Sequence, residues 1–167
     1  MRINSRSELT TFKGGVMILP EEMEFIEFLQ KLGPRYANQV ALLAQLKECP
    51  AGAVLFREGQ ESPFIYFVLR GTVCLEIETA SEKTVPVQTI GPGELVGWSP
   101  VLGPRPMTVT VRALDRCRLA ALAVDRLVAL CEQDPHFGMA FMRQMATALA
   151  DRLRATRLQC SSTKGSR

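Results

Sequence analysis

The chain has 167 residues, 47% of them hydrophobic and 22% charged, with a formal net charge of +3. That is the balance of a soluble globular protein, and the length fits one domain of about 100–200 residues. Such a domain buries roughly 70% of its unfolded surface without a metal or disulfide staple. The charge is too small to imply nucleic acid, and the single histidine, His136, excludes multi-histidine metal chemistry.

The five cysteines are Cys49, Cys74, Cys117, Cys131 and Cys160. Their odd number, and the lack of any Cys-x-x-Cys pair, argue against a disulfide framework. Cys74, Cys117 and Cys131 sit among apolar residues and are expected as small core side chains. No signal-peptide pattern follows Met1. No run approaches the ~20 apolar residues of a membrane helix, so no membrane contact and a cytoplasmic location are expected.

In chain order, residues 1–19 show no clean period and are expected as an arm. Pro20-Glu21-Glu22 opens a helix, with the proline ring presetting the first turn and the carboxylates at the positive end. Met23, Ile26, Leu29 and Leu32 continue it at helical spacing until Gly33-Pro34. A second helix is predicted from Tyr36 to Lys47, with Val40, Leu43 and Leu46 on one face, so that helices occupy 20–48. From Pro50 the texture changes to strands and turns. Phe64 to Leu69 is an apolar run of β-favouring residues. Val73, Leu75 and Ile77 alternate with polar neighbours, as do Val109, Val111 and Ala113. Residues 79–84 read as a hairpin loop before Val85 and Val87, and Gly91-Pro92-Gly93 as a tight turn. Strands and turns thus fill 50–122, the pattern of a sandwich or barrel. Helical period returns at 124–159: a short helix from Asp125 to Gln133, ended by Asp134-Pro135, then a long one from His136 to Gln159. Residues 160–167 form a tail, and 20–159 is expected to be one domain.

The segment Gly52-Ala53-Val54-Leu55-Phe56-Arg57-Glu58-Gly59-Gln60, followed by Phe64 to Val73, resembles the opening of a cyclic-nucleotide-binding domain. This is the regulatory β-roll of the Crp/Fnr-type activators and of cyclic-AMP-dependent kinase regulatory subunits. The resemblance continues through Ile90-Gly91-Pro92-Gly93-Glu94-Leu95-Val96-Gly97 and Thr110-Val111-Arg112-Ala113, and covers about residues 35–158. Its ordered glycines fall where turns between short strands need positive φ or close backbone approach. The fold it implies is mainly β: an antiparallel jelly-roll β-roll (double-stranded β-helix) with N-terminal helices and a long C-terminal helix.

The resemblance also implies a ligand cassette, and here the sequence departs from the family. Members that bind cyclic nucleotides carry a glutamate after the cassette glycine, which accepts the ribose hydroxyl. An arginine shortly before the Thr-Val strand pairs with the cyclic phosphate. Here Trp98 follows Gly97, and Met107 stands where the arginine should be. Two states of the pocket stay open. In one, a loop bulge brings Arg105 in as the cation for a small anionic ligand, cyclic AMP and cyclic GMP among them, assisted by the Gly97 and Ser99 amides. In the other, Trp98 and Met107 fill the space the nucleotide would take. The site residues implied are Val96, Gly97, Trp98, Ser99, Arg105, Met107 and Thr108, with Thr156 from the long helix, where activators of the family contact the base.

Along the long helix, Met142, Met145, Leu149 and Leu153, with Ala146 and Thr156 beside them, recur at three and four residues. By the resemblance this stripe forms a parallel homodimer, and a partner protein is a further expectation. The basic residues near the C-terminus read as a solvated face. Only Cys160 to Arg167 follow the helix, too few for the family's helix-turn-helix, so no sequence-specific DNA binding is expected. A single histidine cannot build the metal site of a cupin enzyme, and no nucleophile elbow or phosphate loop occurs. The expected function is therefore a stand-alone regulatory sensor that signals by helix rearrangement, or alternatively a degenerate version serving as an interaction or dimerisation module.

Overall fold

The computed structural model describes residues 18–79 and 83–162, and the side chains of all these except Pro20 and 158–162. Most of the expected arm (1–17), the tip of the 79–84 loop (80–82), the end of the tail (163–167) and the side chain of Cys160 lie outside the described residues.

Among the described residues, eight strands pair into two four-stranded antiparallel sheets. The first, in the order β1-β8-β3-β6, holds β1 (Ala44–Cys49), β8 (Cys117–Ala123), β3 (Phe64–Arg70) and β6 (Leu95–Val96). The second, in the order β2-β7-β4-β5, holds β2 (Val54–Phe56), β7 (Thr110–Ala113), β4 (Val73–Glu78) and β5 (Thr84–Ile90). This is the jelly-roll β-roll expected from the sequence, flanked by α1 (Glu27–Leu32), α2 (Pro34–Leu43), α3 (Val124–Gln133) and α4 (Pro135–Ser162).

The alternation of side chains along a strand explains how the roll and the helices share one body. Strand β3 sends Tyr66 and Val68 into the space between the sheets, and Ile65 and Phe67 toward the helices. Its neighbour β8 does likewise, with Leu119 and Ala121 inward and Ala120 and Leu122 outward. Both faces are buried, which is why these strands read as unbroken apolar runs. On the helical side, Phe28 meets Phe67 and Phe141 edge-on at centroid distances of 5.3 and 5.1 Å. Tyr36 meets Phe137 in the same manner at 5.4 Å. These rings clamp α1, α2 and the first turns of α4 onto the sheet. Helix α4 is started by Pro135 and by Asp134, whose Oδ1 accepts from the Phe137 N–H at 3.0 Å, as a capping carboxylate should. It runs close to α3, where a methyl group added at Gly138 would sit 2.9 Å from the Cys131 carbonyl oxygen.

Three expectations need correction. The first helix is split: Pro20–Met23 is a 3-10 turn, and α1 starts only at Glu27. The second helix stops at Leu43, and Ala44–Cys49 is strand β1, paired with β8 from Ala44↔Leu122 to Cys49↔Cys117. Pairing with a distant, largely buried strand outweighs the local helical spacing of Leu43 and Leu46. Finally, the apolar residues of α4 do not form one stripe. Phe137, Phe141 and Met145 are buried in the core, whereas Met142, Ala146 and Leu153 are exposed. Of the cysteines, Cys49, Cys74 and Cys117 are buried, and Cys131 is only half-buried between α3 and the core.

Candidate functional site

A cavity of ≈ 320 Å³ lies between the roll and α4. Its floor is β-sheet: Phe56 of β2, Leu75 of β4, Val96 of β6 and Val111 of β7. One side is the segment Gly97 to Ser99, the other Met107 to Val109, and the roof is Leu149, Arg152, Leu153 and Thr156 of α4. Gln88 completes the lining. The volume lies at the lower end of the range for small-molecule sites, roughly 300–1,000 Å³.

Seven of the eight residues expected at the site line this one cavity: Val96, Gly97, Trp98, Ser99, Met107, Thr108 and Thr156. They come from three separate stretches of chain that only the closed roll brings together. Arg105 is the exception. It is exposed and does not line the cavity. The backbone accounts for this. The Met107 N–H donates to the Gln60 carbonyl and the Gly59 N–H to the Met107 carbonyl, each at 2.8 Å. With Met107 tied to that turn and its side chain buried, Pro104, Arg105 and Pro106 are left on the outer loop. The bulge that would swing Arg105 inward is not formed.

Gly97 has φ +79°, a conformation that favours glycine. A Cβ there would stand 3.0 Å from Cε1 of Phe56 and 3.3 Å from Cε of Met107. These two side chains therefore crowd the backbone around which the family's cyclic phosphate would be held. The segment after Gly97 is a single 3-10 turn, Ser99–Leu102. Its second residue, Pro100, has no N–H to offer, so the turn contributes little to anion binding. Trp98 does not plug the space. It is half-buried, packs against the helical-side core and lines the cavity edge. No carboxylate lines the cavity to accept ribose hydroxyls, so the residues present do not fit a cyclic nucleotide held in the family's manner.

One functional candidate escaped the sequence reading. Arg152, grouped there with the basic C-terminal residues, is half-buried at the cavity roof, and its Nη2–H donates to the Leu95 carbonyl at 2.6 Å. Burial holds its pKa below the ordinary arginine value, opposed by the charge of Glu94. The missed signal lies in the helical row Phe141, Met145, Ala148, Arg152. Its members stand four, three and four residues apart, and the first three face inward.

A roll of two antiparallel sheets, with a long helix closing a cavity beside a glycine-turn cassette, is the architecture of a small regulatory domain. Residues 46–134 match the model of the cyclic nucleotide-binding domain, and the chain belongs to that family. It is similar to the cyclic nucleotide-gated potassium channel mll3241 of Mesorhizobium japonicum, at 28% identity over 71% of this chain and 31% of the channel. It is also similar to the regulatory domain of Toxoplasma gondii PKA, solved with cAMP, at 29% identity and a TM-score of 0.61 over 66% of this chain and 43% of that one. A cyclic nucleotide-binding domain from Methylobacillus flagellatus shares the fold at a TM-score of 0.76 and 18% identity, covering 86% of this chain and 83% of the other. The chain spans less than a third of the channel's length. As a member of this family it is a regulatory, signal-transduction module. Among the described residues no group of three or more His, Cys, Asp or Glu is placed to hold a metal ion. None of their helices is long and apolar enough to cross a membrane.

Proposed function

We propose that residues 20–159 act as a small-molecule sensor in which a ligand in the cavity selects one placement of α4, and that cyclic AMP and cyclic GMP are weak ligands for it. The observation that carries this reading is the roof of the cavity. Four residues of one helix, Leu149, Arg152, Leu153 and Thr156, face a floor made of sheet. A ligand between them changes the contacts that hold the helix, and differential contact is what shifts a conformational equilibrium. Weak nucleotide binding is supported by Met107 and Phe56 at the cassette backbone and by Arg105 outside the cavity.

Trp98 is the single tryptophan of the chain and lines the cavity, so its emission reports occupancy. Titration with the apolar anion 1-anilinonaphthalene-8-sulfonate should quench Trp98 and slow amide exchange in residues 149–157. Cyclic AMP and cyclic GMP should do so only at millimolar concentration. Probe binding that leaves exchange in α4 unchanged refutes the sensor reading, and micromolar affinity for either nucleotide refutes the weak-ligand part.

A second reading, a homodimer along α4, is favoured by a different observation. Met139, Met142, Ala146 and Leu153 are exposed, Met139 at 65% and Leu153 at 52%, and with half-buried Leu149 and Thr156 they follow a 3-4-3-4-3 spacing. That is the spacing of a two-stranded coiled-coil seam. Sedimentation should show a dimer that Met142→Glu converts to monomer. A wild-type mass that stays monomeric at high concentration removes the idea.

A further inference from the structure

We propose that the ligand of this cavity is a small organic monoanion with an apolar body, a carboxylate above all, whose charged group is held by Arg152 of the long helix and not by the cassette. The inference rests on the cavity being a ligand site, as argued above, and adds the chemistry of its occupant.

Arg152 contributes the only charge among the lining residues; the others are apolar or neutral, and no aspartate or glutamate is among them. A guanidinium has five N–H donors in a rigid fork. Among the described residues Arg152 makes one hydrogen bond, to the Leu95 carbonyl, and no ion pair within 4.0 Å. Glu94 influences it only at longer range. Arg152 also borders a second cavity, lined by Glu27, Glu94 and Asp151 among others, but none of these carboxylates pairs with it within 4.0 Å, so the half-buried cation is an incomplete charge pair. The group that completes it carries one negative charge and two acceptor oxygens, because the fork matches a carboxylate bidentately.

The rest of the lining sets the body of the ligand. Phe56, Leu75, Val96, Met107, Val109 and Val111 offer an apolar floor and side wall. Nothing there accepts from a sugar hydroxyl in the way a carboxylate would. The neutral polar groups are few. Thr156 already commits its hydroxyl proton to the Arg152 carbonyl at 3.0 Å, and so presents acceptor lone pairs only. An aliphatic or arylalkyl acid fits this division, with its apolar part over the sheet and its charged end at the helix. Placing the cation on the helix also has a consequence for signalling. In the family's cassette arrangement the anion is bound by the roll, whereas here charge recognition and helix placement fall on one residue, which also ties α4 to β6.

Calorimetry with matched pairs tests the inference: octanoate against octanamide, and 4-phenylbutyrate against 4-phenylbutanamide, the two pairs separating an aliphatic from an arylalkyl body. In the wild type each acid should bind about ten- to a hundred-fold more tightly than its amide. Arg152→Met, which keeps an apolar stem, should abolish that preference while leaving the amide affinity in place. Arg152→Lys should keep part of it, which guards against a fold defect in the methionine variant, and Arg105→Ala should keep all of it. Equal binding of acid and amide, or a preference that survives in Arg152→Met, overturns the anion inference while leaving the sensor reading intact. If neither member of either pair binds or quenches Trp98, both this inference and the ligand-site reading fall.

Discussion

Replacing Met107 with arginine asks directly what the cassette has become. Met107 is 3% exposed and sits in the inter-sheet core with Phe56, Val96 and Val111. A guanidinium there has no counter-charge among the cavity-lining residues, and an unpaired buried ion costs several kcal/mol, about 3–5. Met107→Arg should therefore lower the unfolding free energy by about that amount in the absence of nucleotide. The same substitution restores the phosphate partner that the family uses. A charge-assisted hydrogen bond contributes about 1.5–3 kcal/mol, roughly ten- to 150-fold in affinity. Adding Trp98→Glu, to restore the ribose acceptor, should multiply the gain again. The variant is thus expected to melt below the wild type when alone and to recover with cyclic AMP, by about 2.7 kcal/mol when the nucleotide stands at 100 times its Kd. Urea denaturation and calorimetry read both quantities. If Met107→Arg is as stable as the wild type without nucleotide, the position is wet rather than filled. If the wild type already binds cyclic AMP as tightly as the variant, the crowding at Gly97 is irrelevant and the reasoning fails.

Two further outcomes test the frame around the site. Gly71 and Gly59 share positive φ, +86° and +78°, but a Cβ at Gly71 would stand 2.5 to 2.8 Å from Asp115, Arg116 and Cys117, and at Gly59 it would meet nothing within 4 Å. Gly59→Ala should cost only the backbone strain, about 1–2 kcal/mol, and Gly71→Ala about 1–3 kcal/mol more, as measured by urea unfolding; equal costs would refute the packing around Gly71. Burial pushes the Tyr66 phenol up to about 12, aided by Cys49 and opposed by a hydrogen bond with Ser62. Its proton then stays on in the folded chain while the unfolded chain releases it above the usual 10. The associated stability is full below that point and is lost as pH rises toward 12, by about 2–3 kcal/mol in total. Tyr66→Phe should flatten that alkaline slope, and an unchanged slope would show that the loss arises elsewhere.

The sequence is most legible where local and tertiary preferences agree. Val73 and Leu75 enter the inter-sheet core as their alternation predicts, whereas Ile77, near the end of β4, is exposed. It is least legible where pairing overrides spacing. Ala44 to Cys49 carries no strand signal of its own, and becomes β1 only because β8 offers it an edge. Strand β8, Cys-Arg-Leu-Ala-Ala-Leu-Ala, is covered on both faces and so shows no alternation to detect. At the site, the glycine series locates the cassette, and Met107 and Trp98 announce its altered chemistry. The position of Arg105 is not readable, since it depends on the hydrogen bonds that tie Met107 to the Gly59–Gln60 turn. Arg152 is hidden among surface cations of the same helix, and its environment emerges only when α4 is laid over β6.

The packing of α4 also fixes where a ligand signal can act. Its first three turns are anchored: Phe137 and Phe141 are fully buried, Met145 is 3% exposed, and the aromatic contacts to Phe28 and Tyr36 tie them to α1 and α2. Beyond Ala148 the attachment thins. From residue 150 to 157 only Arg152 and Thr156 are even half-buried, and both face the cavity. A region with few buried apolar contacts opens at low free energy, while a packed core opens only with global unfolding. Helix α4 is thus held firmly at one end and loosely at the other, with the cavity under the loose end. Ligand-dependent amide protection should be confined to residues 149–157 and should leave 137–145 unchanged. Protection spread evenly over the helix would mean that the whole element moves as one body, and that the aromatic clamp is not the pivot.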